Sequence, residues 1–272
     1  MQDWDDLLRR AHDLSMGPVT QKRVAHAVAE CNEAIARCDL KYLVDTFGSR
    51  DQWRILGHFF EQASYFDIET SGMGFESYVT VITCYHRDQL YTFVYNENLE
   101  AFLDLLEEVD LLISFNGASF DVPRIAGHFH IPELPCPHLD LRWMFYYEEK
   151  AGGLKSIESQ LDIARPKDLV GVDGDEAVWL WQLWDERGNQ KARDRLLRYC
   201  AADSASLKLL SARLLADHGL HVPCPAPDEL WQALHQMCLP PLGKPLPPKP
   251  TEEKTTPGRV RLQRHLQSLR KR

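Results

Sequence analysis

From residue 61 onward the chain alternates short apolar runs with stretches of helical periodicity, and this alternation constrains its fold more than any other feature. The runs lie near 63–69, 77–85, 90–95, 111–115 and 137–141, and the helical patterns near 98–108, 120–129, 154–162, 175–186 and 190–214. Strands interleaved with helices predict an α/β fold, a mixed β-sheet flanked by helices. Before it, apolar positions recur at helical spacing over 4–14 and 20–38 (Val24, Ala27, Val28, Cys31, Ala34, Ile35), with Thr20 as the expected N-cap after Pro18. Beyond about 216 the chain turns Pro-rich. Leu239 to Pro250 reads as an extended polyproline linker and 258–271 as a short basic helix. The expected organisation is a helical segment over 1–60, one domain over 61–215, and a Pro-rich linker with a basic tail over 216–272.

A chain of 272 residues, 44% hydrophobic and 26% charged, buries a core without staples. Its seven cysteines (31, 38, 84, 136, 200, 224, 238) form no CxxC pair, and the chain opens on acidic residues rather than an apolar leader. Free thiols in a reducing cytoplasm are expected. No run approaches the ~20 apolar residues of a membrane helix. The net charge of −9 is unevenly spread: Lys244 to Arg272 carry nine Lys or Arg against Glu252 and Glu253, leaving −16 on the preceding residues. An acidic body attracts phosphate poorly, so a polyanionic substrate has to be held by metal ions or by the basic end. That end is a candidate contact for DNA or for a protein partner, or else a solvated terminus.

Three segments place acids where they are costly. In ASYFDIETSG (63–72), the two-residue period of a strand puts Asp67 and Glu69 on one face and Phe66 and Ile68 on the other. Two such charges ~4 Å apart repel by about 4 kcal/mol at an effective dielectric near 20, so a positive charge is expected between them. In LISFNGASFDVPRI (112–125) a buried strand ends in an Asn-Gly turn and Asp121 opens the next helix, where the helix N-terminus favours a carboxylate. In LLRYCAADSASL (196–207) Tyr199 and Asp203 lie four apart on one helix face, beside apolar Leu196, Leu207 and Leu210. Taken singly, Asp121 is also a helix cap, and Tyr199 with Asp203 a surface hydrogen-bonded pair. Asp140, in PHLDL (137–141), reads as a strand-end acid supporting the others.

Together the three segments resemble the motifs of the DEDD exonucleases of the RNase H-like superfamily. DIE (67–69) is similar to the first motif, FNGASFDVPRI (115–125) to the second motif of family B polymerase proofreading domains, and YCAAD (199–203) to the Tyr-x-x-x-Asp third motif. Position 198, where the histidine variant keeps its general base, is Arg, which assigns the tyrosine subclass. HLDLRWMF (138–145), GGLKSIESQLDIARP (152–166), DGDEAVWLWQLW (173–184) and Trp53-Arg54 extend the resemblance to the bacterial YprB-type family over roughly 40–212. The resemblance implies an RNase H-like fold and two bound Mg²⁺ or Mn²⁺ ions held by Asp67, Glu69, Asp121 and Asp203. It implies that Asp67 bridges both ions, that Glu69 and Asp203 complete the nucleophile side, and that Asp121 acts through water on the other. Tyr199 would hold the attacking water, and the backbone of Ile68 and Thr70 with the Asn116 side chain would hold the terminal nucleotide.

The expected activity is removal of nucleotides from the 3′ end of single-stranded or frayed DNA, releasing nucleoside 5′-monophosphates, with a role in DNA repair. RNA is the alternative substrate, since no residue visibly reads the 2′-hydroxyl. A catalytically idle adaptor on the same scaffold is the alternative class, disfavoured because every acid and the tyrosine are present. Other signals weigh less. Trp179, Trp181 and Trp184 interleave with Val178, Leu180 and Leu183 and read as packing residues rather than base-stacking ones. His128, His130, Cys136 and His138 lack a zinc-site spacing. Lys155, Arg165 and Lys167 read as phosphate contacts or as part of a solvated loop. Gly72 and Gly74 follow the first motif without a phosphate-binding fingerprint, which disfavours a nucleotide-binding ATPase.

Overall fold

A computed structural model describes residues 16–74 and 76–236. The expected helix over 4–14, the polyproline stretch from 239 and the basic segment over 258–271 lie outside the described residues. Helices α1 (Pro18–Ala36), α2 (Leu40–Thr46) and α3 (Trp53–His58) lead into a five-stranded sheet of β1 (Ala63–Thr70), β2 (Val79–His86), β3 (Gln89–Val94), β4 (Leu111–Ser114) and β5 (His138–Asp140). The strand order is β3-β2-β1-β4-β5. β1 pairs antiparallel with β2 and β2 with β3, whereas β1–β4 and β4–β5 are parallel. Parallel neighbours need crossovers, which here contain α4 (Ala101–Leu106) and α5 (Asp121–Phe129). β1, β4 and β5 therefore all end on the same side of the molecule, and the chain leaving each of them converges there.

The alternation of β1 sorts its side chains between two cores. Phe66 and Ile68 pack with Phe102 and Leu106 of α4 and Ile125 of α5, while Tyr65 faces the larger core built on the remaining helices. Asp67 and Glu69 share the Tyr65 face. That face is covered by α9 (Gln190–Asp217), a helix of 28 residues and so about 42 Å long. Small buried residues, Cys200, Ala201, Ala202, Ser204 and Ala205, let it approach the sheet closely. Thr83 Oγ1 on β2 donates to the Cys200 carbonyl (2.9 Å), and Ser204 Oγ donates to the Thr83 carbonyl (3.0 Å).

The remaining helices are α6 (Leu141–Tyr147), α7 (Leu154–Gln160), α8 (Gly174–Arg187) and α10 (Pro227–Gln236). Three sequence expectations need correcting. α1 begins at Pro18 with Gly17 as its cap, not at Thr20, because a proline loses no hydrogen bond in the first helical position. The strand expected near 137–141 ends at Asp140 and α6 follows directly from it, since the Asp140 carboxylate accepts from the Arg142 amide (3.0 Å) and turns the strand end into a helix start. The Pro-rich reading from 216 onward fails over 227–236, where Pro227 starts α10. Leu230, Trp231 and Leu234 are buried in the large core, and Trp231 Nε1 donates to the Ala164 carbonyl (3.0 Å). Trp181 is likewise core, donating to Tyr78 Oη (3.3 Å), with Trp179 and Trp184 packed beside that core. No described helix is long and apolar enough to cross a membrane.

Candidate active site

The turn after β4 is built by hydrogen bonds and by a missing Cβ. Asn116 adopts a left-handed backbone (φ 67°), and its amide donates to Asp140 Oδ1 (2.7 Å) while the Ala118 amide donates to Oδ2 (3.1 Å). Asp140, buried behind the turn, therefore organises the loop from the end of the neighbouring strand. The Gly117 amide donates to Ser114 Oγ (3.1 Å), which lies 2.7 Å from His138 Nε2. A Cβ at Gly117 would stand 2.1 Å from Ser114 Oγ and 3.2 Å from Asp121 Oδ2, so only glycine lets the turn close and Asp121 tuck against it. Burial pushes the His138 imidazole down to about 4, keeping it neutral in this contact.

Asp67 lines a cleft of about 560 Å³ together with Tyr199 and Asp203 of α9, Asn116, Arg142, and the segment from Gly152 to Ser156. Ligand atoms of Asp67, Glu69 and Cys200 lie within 4.8 Å of one another. Asp121 and Asp203 are each only 5% exposed. Burial raises the Asp67 carboxyl well above the usual range, with Asp203, Asp121 and Glu69 adding repulsion. Burial also raises Glu69, Asp203 adds to it, and Lys155 opposes. Asp121 is pushed up to about 7, again chiefly by burial, against amide hydrogen bonds from its own backbone and from Ile68.

Two cations reach this acidic group. Arg165 is bidentate on Glu158 of α7 (2.6 and 2.7 Å) and also meets the Asp203 carboxylate. Lys155 Nζ donates to Tyr199 Oη and lies 4.4 Å from the Tyr199 ring centroid. Burial, then the nearby carboxylates of Asp203, Glu69 and Asp67, drive the Tyr199 phenol far up, so it stays protonated in the metal-free protein. The loop expectation is corrected accordingly: Arg165 is neither solvated nor free for phosphate, because its side chain is 7% exposed and held by two acids. Lys155 sits on α7, inside the cleft.

Of the residues expected to hold a nucleotide, Asn116 lines the cleft, with Oδ1 accepting from Arg142 (2.5 Å). Ile68 is 5% exposed and its amide faces the Asp121 carboxylate. Thr70 is 4% exposed and its hydroxyl donates to the Gly72 carbonyl (2.9 Å). Arg142 and the Arg165–Glu158 pair carried no clear signal in the sequence. The one hint was Glu158 beside Ile157 on the inner side of a short helix. His128, His130, Cys136 and His138 form no ligand group among the described residues.

The donor set fits a hard divalent cation. Asp67 and Glu69, whose ligand atoms lie within 4.8 Å, offer carboxylate oxygens of the kind Mg²⁺ and Mn²⁺ prefer, and Asp121 and Asp203 are close enough to repel the Asp67 charge. Cys200 is the one soft atom close by. Burial and then the Asp67 charge hold its thiol well up, so it stays protonated in the metal-free protein.

The family model described as RNase_H superfamily matches residues 64–215, more than half of the chain. The chain belongs to the RNase H superfamily. This membership supports nuclease activity on a nucleic-acid substrate, and the matched stretch runs from the second residue of β1, through the β4–α5 turn and the cleft, to within two residues of the end of α9. Among solved structures, the chain is similar to the family B DNA polymerase from the hyperthermophilic archaeon Pyrobaculum calidifontis. Identity is 16% and the TM-score 0.44, and the match covers 63% of this chain and 26% of that one. No curated protein matches the chain significantly.

Proposed function

We propose that this superfamily member is a divalent-metal-dependent 3′–5′ exonuclease of the tyrosine subclass that trims single-stranded or frayed DNA, with a role in repair. One observation carries the reading: acids from β1, α5 and α9, far apart in sequence, crowd together at one end of the sheet beside a neutral tyrosine. Asp67, Glu69, Asp121 and Asp203 would hold two Mg²⁺ or Mn²⁺ ions, which when bound acidify water and stabilise a leaving 3′ oxygen. The chain's own groups do the rest. Tyr199 Oη accepts from Lys155, so its own proton is free to hold a water in line with the scissile phosphate. Asn116 is turned toward the cleft by Asp140 and Arg142, and with the backbone at Ile68 and Thr70 it holds the terminal nucleotide. Residues 61–215 form the catalytic domain, led by 1–60. In the remaining part, 216–272, α10 packs back on the core and the basic end reaches for DNA or a protein partner. The described cysteines are free thiols, which suits the cytoplasm.

The test is digestion of end-labelled DNA and RNA oligonucleotides with Mg²⁺, Mn²⁺ or chelator, using the wild type and the Asp67→Ala and Asp203→Ala variants. We expect stepwise loss from the 3′ end of DNA, abolished by chelator and by either substitution while strand binding persists. A ladder built from the 5′ end, faster RNA cleavage, or unchanged cleavage by both variants would overturn the corresponding part.

A further inference from the structure

Helix α6 is amphipathic in an unusual sense. Leu141, Met144 and Phe145 are buried, as a core-facing stripe should be, but the outward face is Arg142, Trp143, Tyr146 and Tyr147. Surface helices normally turn charged and polar residues outward. Here Trp143 is 39%, Tyr146 57% and Tyr147 46% exposed, so a seven-residue helix carries three of the seven large apolar side chains exposed among the described residues. The rings touch edge to face, Trp143 to Tyr146 at 6.0 Å and Tyr146 to Tyr147 at 5.6 Å between centroids. This face continues into the cleft. Arg142 lines the cleft and donates to Asn116, and its guanidinium carbon lies 5.8 Å from the Trp143 ring.

We propose that the Trp143–Tyr146–Tyr147 face of α6 is a stacking platform for a single-stranded nucleic acid, holding the two or three bases behind the terminus that occupies the cleft. The inference rests on the nuclease reading for its direction and deepens it by naming the surface that grips the strand. Charge argues for stacking here. The body of the chain carries −16, so phosphate attraction there is weak, and stacking on the bases is a hold that this charge does not oppose. Every base has a π-face, so aromatic rings grip any sequence. Arg142, at the junction, is placed to meet the phosphate between the terminal nucleotide and the first stacked base. The platform favours unpaired strands, because paired bases present edges and backbone rather than faces.

The test pairs changes on both partners. Fluorescence anisotropy in Mg²⁺ measures binding of a 12-residue oligothymidylate protected by 3′-terminal phosphorothioates, and of the same strand with a three-residue abasic window moved along it. The proteins are the full-length chain, the Trp143→Ala/Tyr147→Ala variant, Tyr146→Ser and Trp143→Phe. Loss of one stacked base weakens binding by roughly fivefold to a hundredfold. We expect the wild type to lose at least about 25-fold when the window lies just behind the 3′ end, the double variant to bind the intact strand at least about 25-fold more weakly and to be indifferent to that window, and Trp143→Phe to recover most of the loss. Tyr146→Ser, a single exposed change with an unaltered melting temperature, is expected to show a smaller loss in the same window. Intact-strand binding equal to wild type in the double variant, or an abasic penalty equal in both proteins at every window, overturns the platform. Cleavage of an unprotected end-labelled strand is scored separately. Window-specific binding without cleavage would refute the nuclease reading and leave the platform standing, and cleavage without window specificity would do the reverse.

Discussion

Replacing Arg165 by Met isolates the electrostatic work done behind the cleft. The Arg165 side chain is 7% exposed, with Glu158 bidentate on it at 2.6 and 2.7 Å and Asp203 on the Nη2 that it shares with Glu158. Glu158 is 2% and Asp203 5% exposed, so the substitution strands two carboxylates away from water. Breaking a buried ion pair by removing one partner costs about 3–5 kcal/mol. That is a large share of the roughly 5–15 kcal/mol by which a domain is stable. In chelator at neutral pH we expect urea unfolding to show a loss of this size, with a melting temperature lower by roughly 10 °C. The double variant Arg165→Met/Glu158→Met should recover a good part, because only Asp203 then remains unpaired. Mg²⁺ or Mn²⁺ should narrow the deficit of the single variant by giving Asp203 a new cation. A single-variant loss below about 1 kcal/mol, the value for an exposed pair, would refute the argument. So would a double variant destabilised further than the single one.

The acids also set a pH dependence. Folding raises the Asp67, Glu69 and Asp121 carboxyls, so their protonated forms stabilise the metal-free protein at low pH and that contribution is lost as pH rises through their folded values. For Asp121, moved from 3.8 to about 7, this is of order 4 kcal/mol. His138, lowered to about 4, opposes the trend between about pH 4 and 6.5 but is a single group. Melting temperature in chelator should therefore fall from pH 5 to 8, and Mg²⁺ should flatten the fall; a rise over that range in chelator would contradict the burial of these acids. Gly117→Ala forces a Cβ against Ser114 Oγ and should cost about 1–3 kcal/mol and reduce activity by displacing Asp121, measured by unfolding and by 3′-end release. A fully stable and active Gly117→Ala would show that the turn yields freely. Deleting 240–272 should lower the slope of log affinity against log salt for DNA, and an unaltered slope would exclude phosphate contacts there.

Local periodicity made much of the scaffold legible. Strand alternation puts Asp67 and Glu69 on one face whatever surrounds them, four-residue spacing puts Tyr199 beside Asp203, and the Asn-Gly turn marks the end of β4. Each depends only on bond geometry within one element. The helix at 141–147 was missed because its trigger is the Asp140 side chain serving two elements at once. The helix at 227–236 was missed because its prolines punctuate a start that resembles a linker, and only the buried Leu230, Trp231 and Leu234 reveal the core it joins.

What the sequence determined by itself was the alternation of strands and helices and the direction in which each acid leaves its own element. What tertiary structure alone decided was which partner each group meets: Arg165 for Asp203 and Glu158, Lys155 for Tyr199 across 44 residues, and Asp140 for the Asn116 turn. Dihedral preferences and side-chain periods act over a few residues and can be read locally. The strength of a charge depends on the burial and the neighbours that the whole chain supplies.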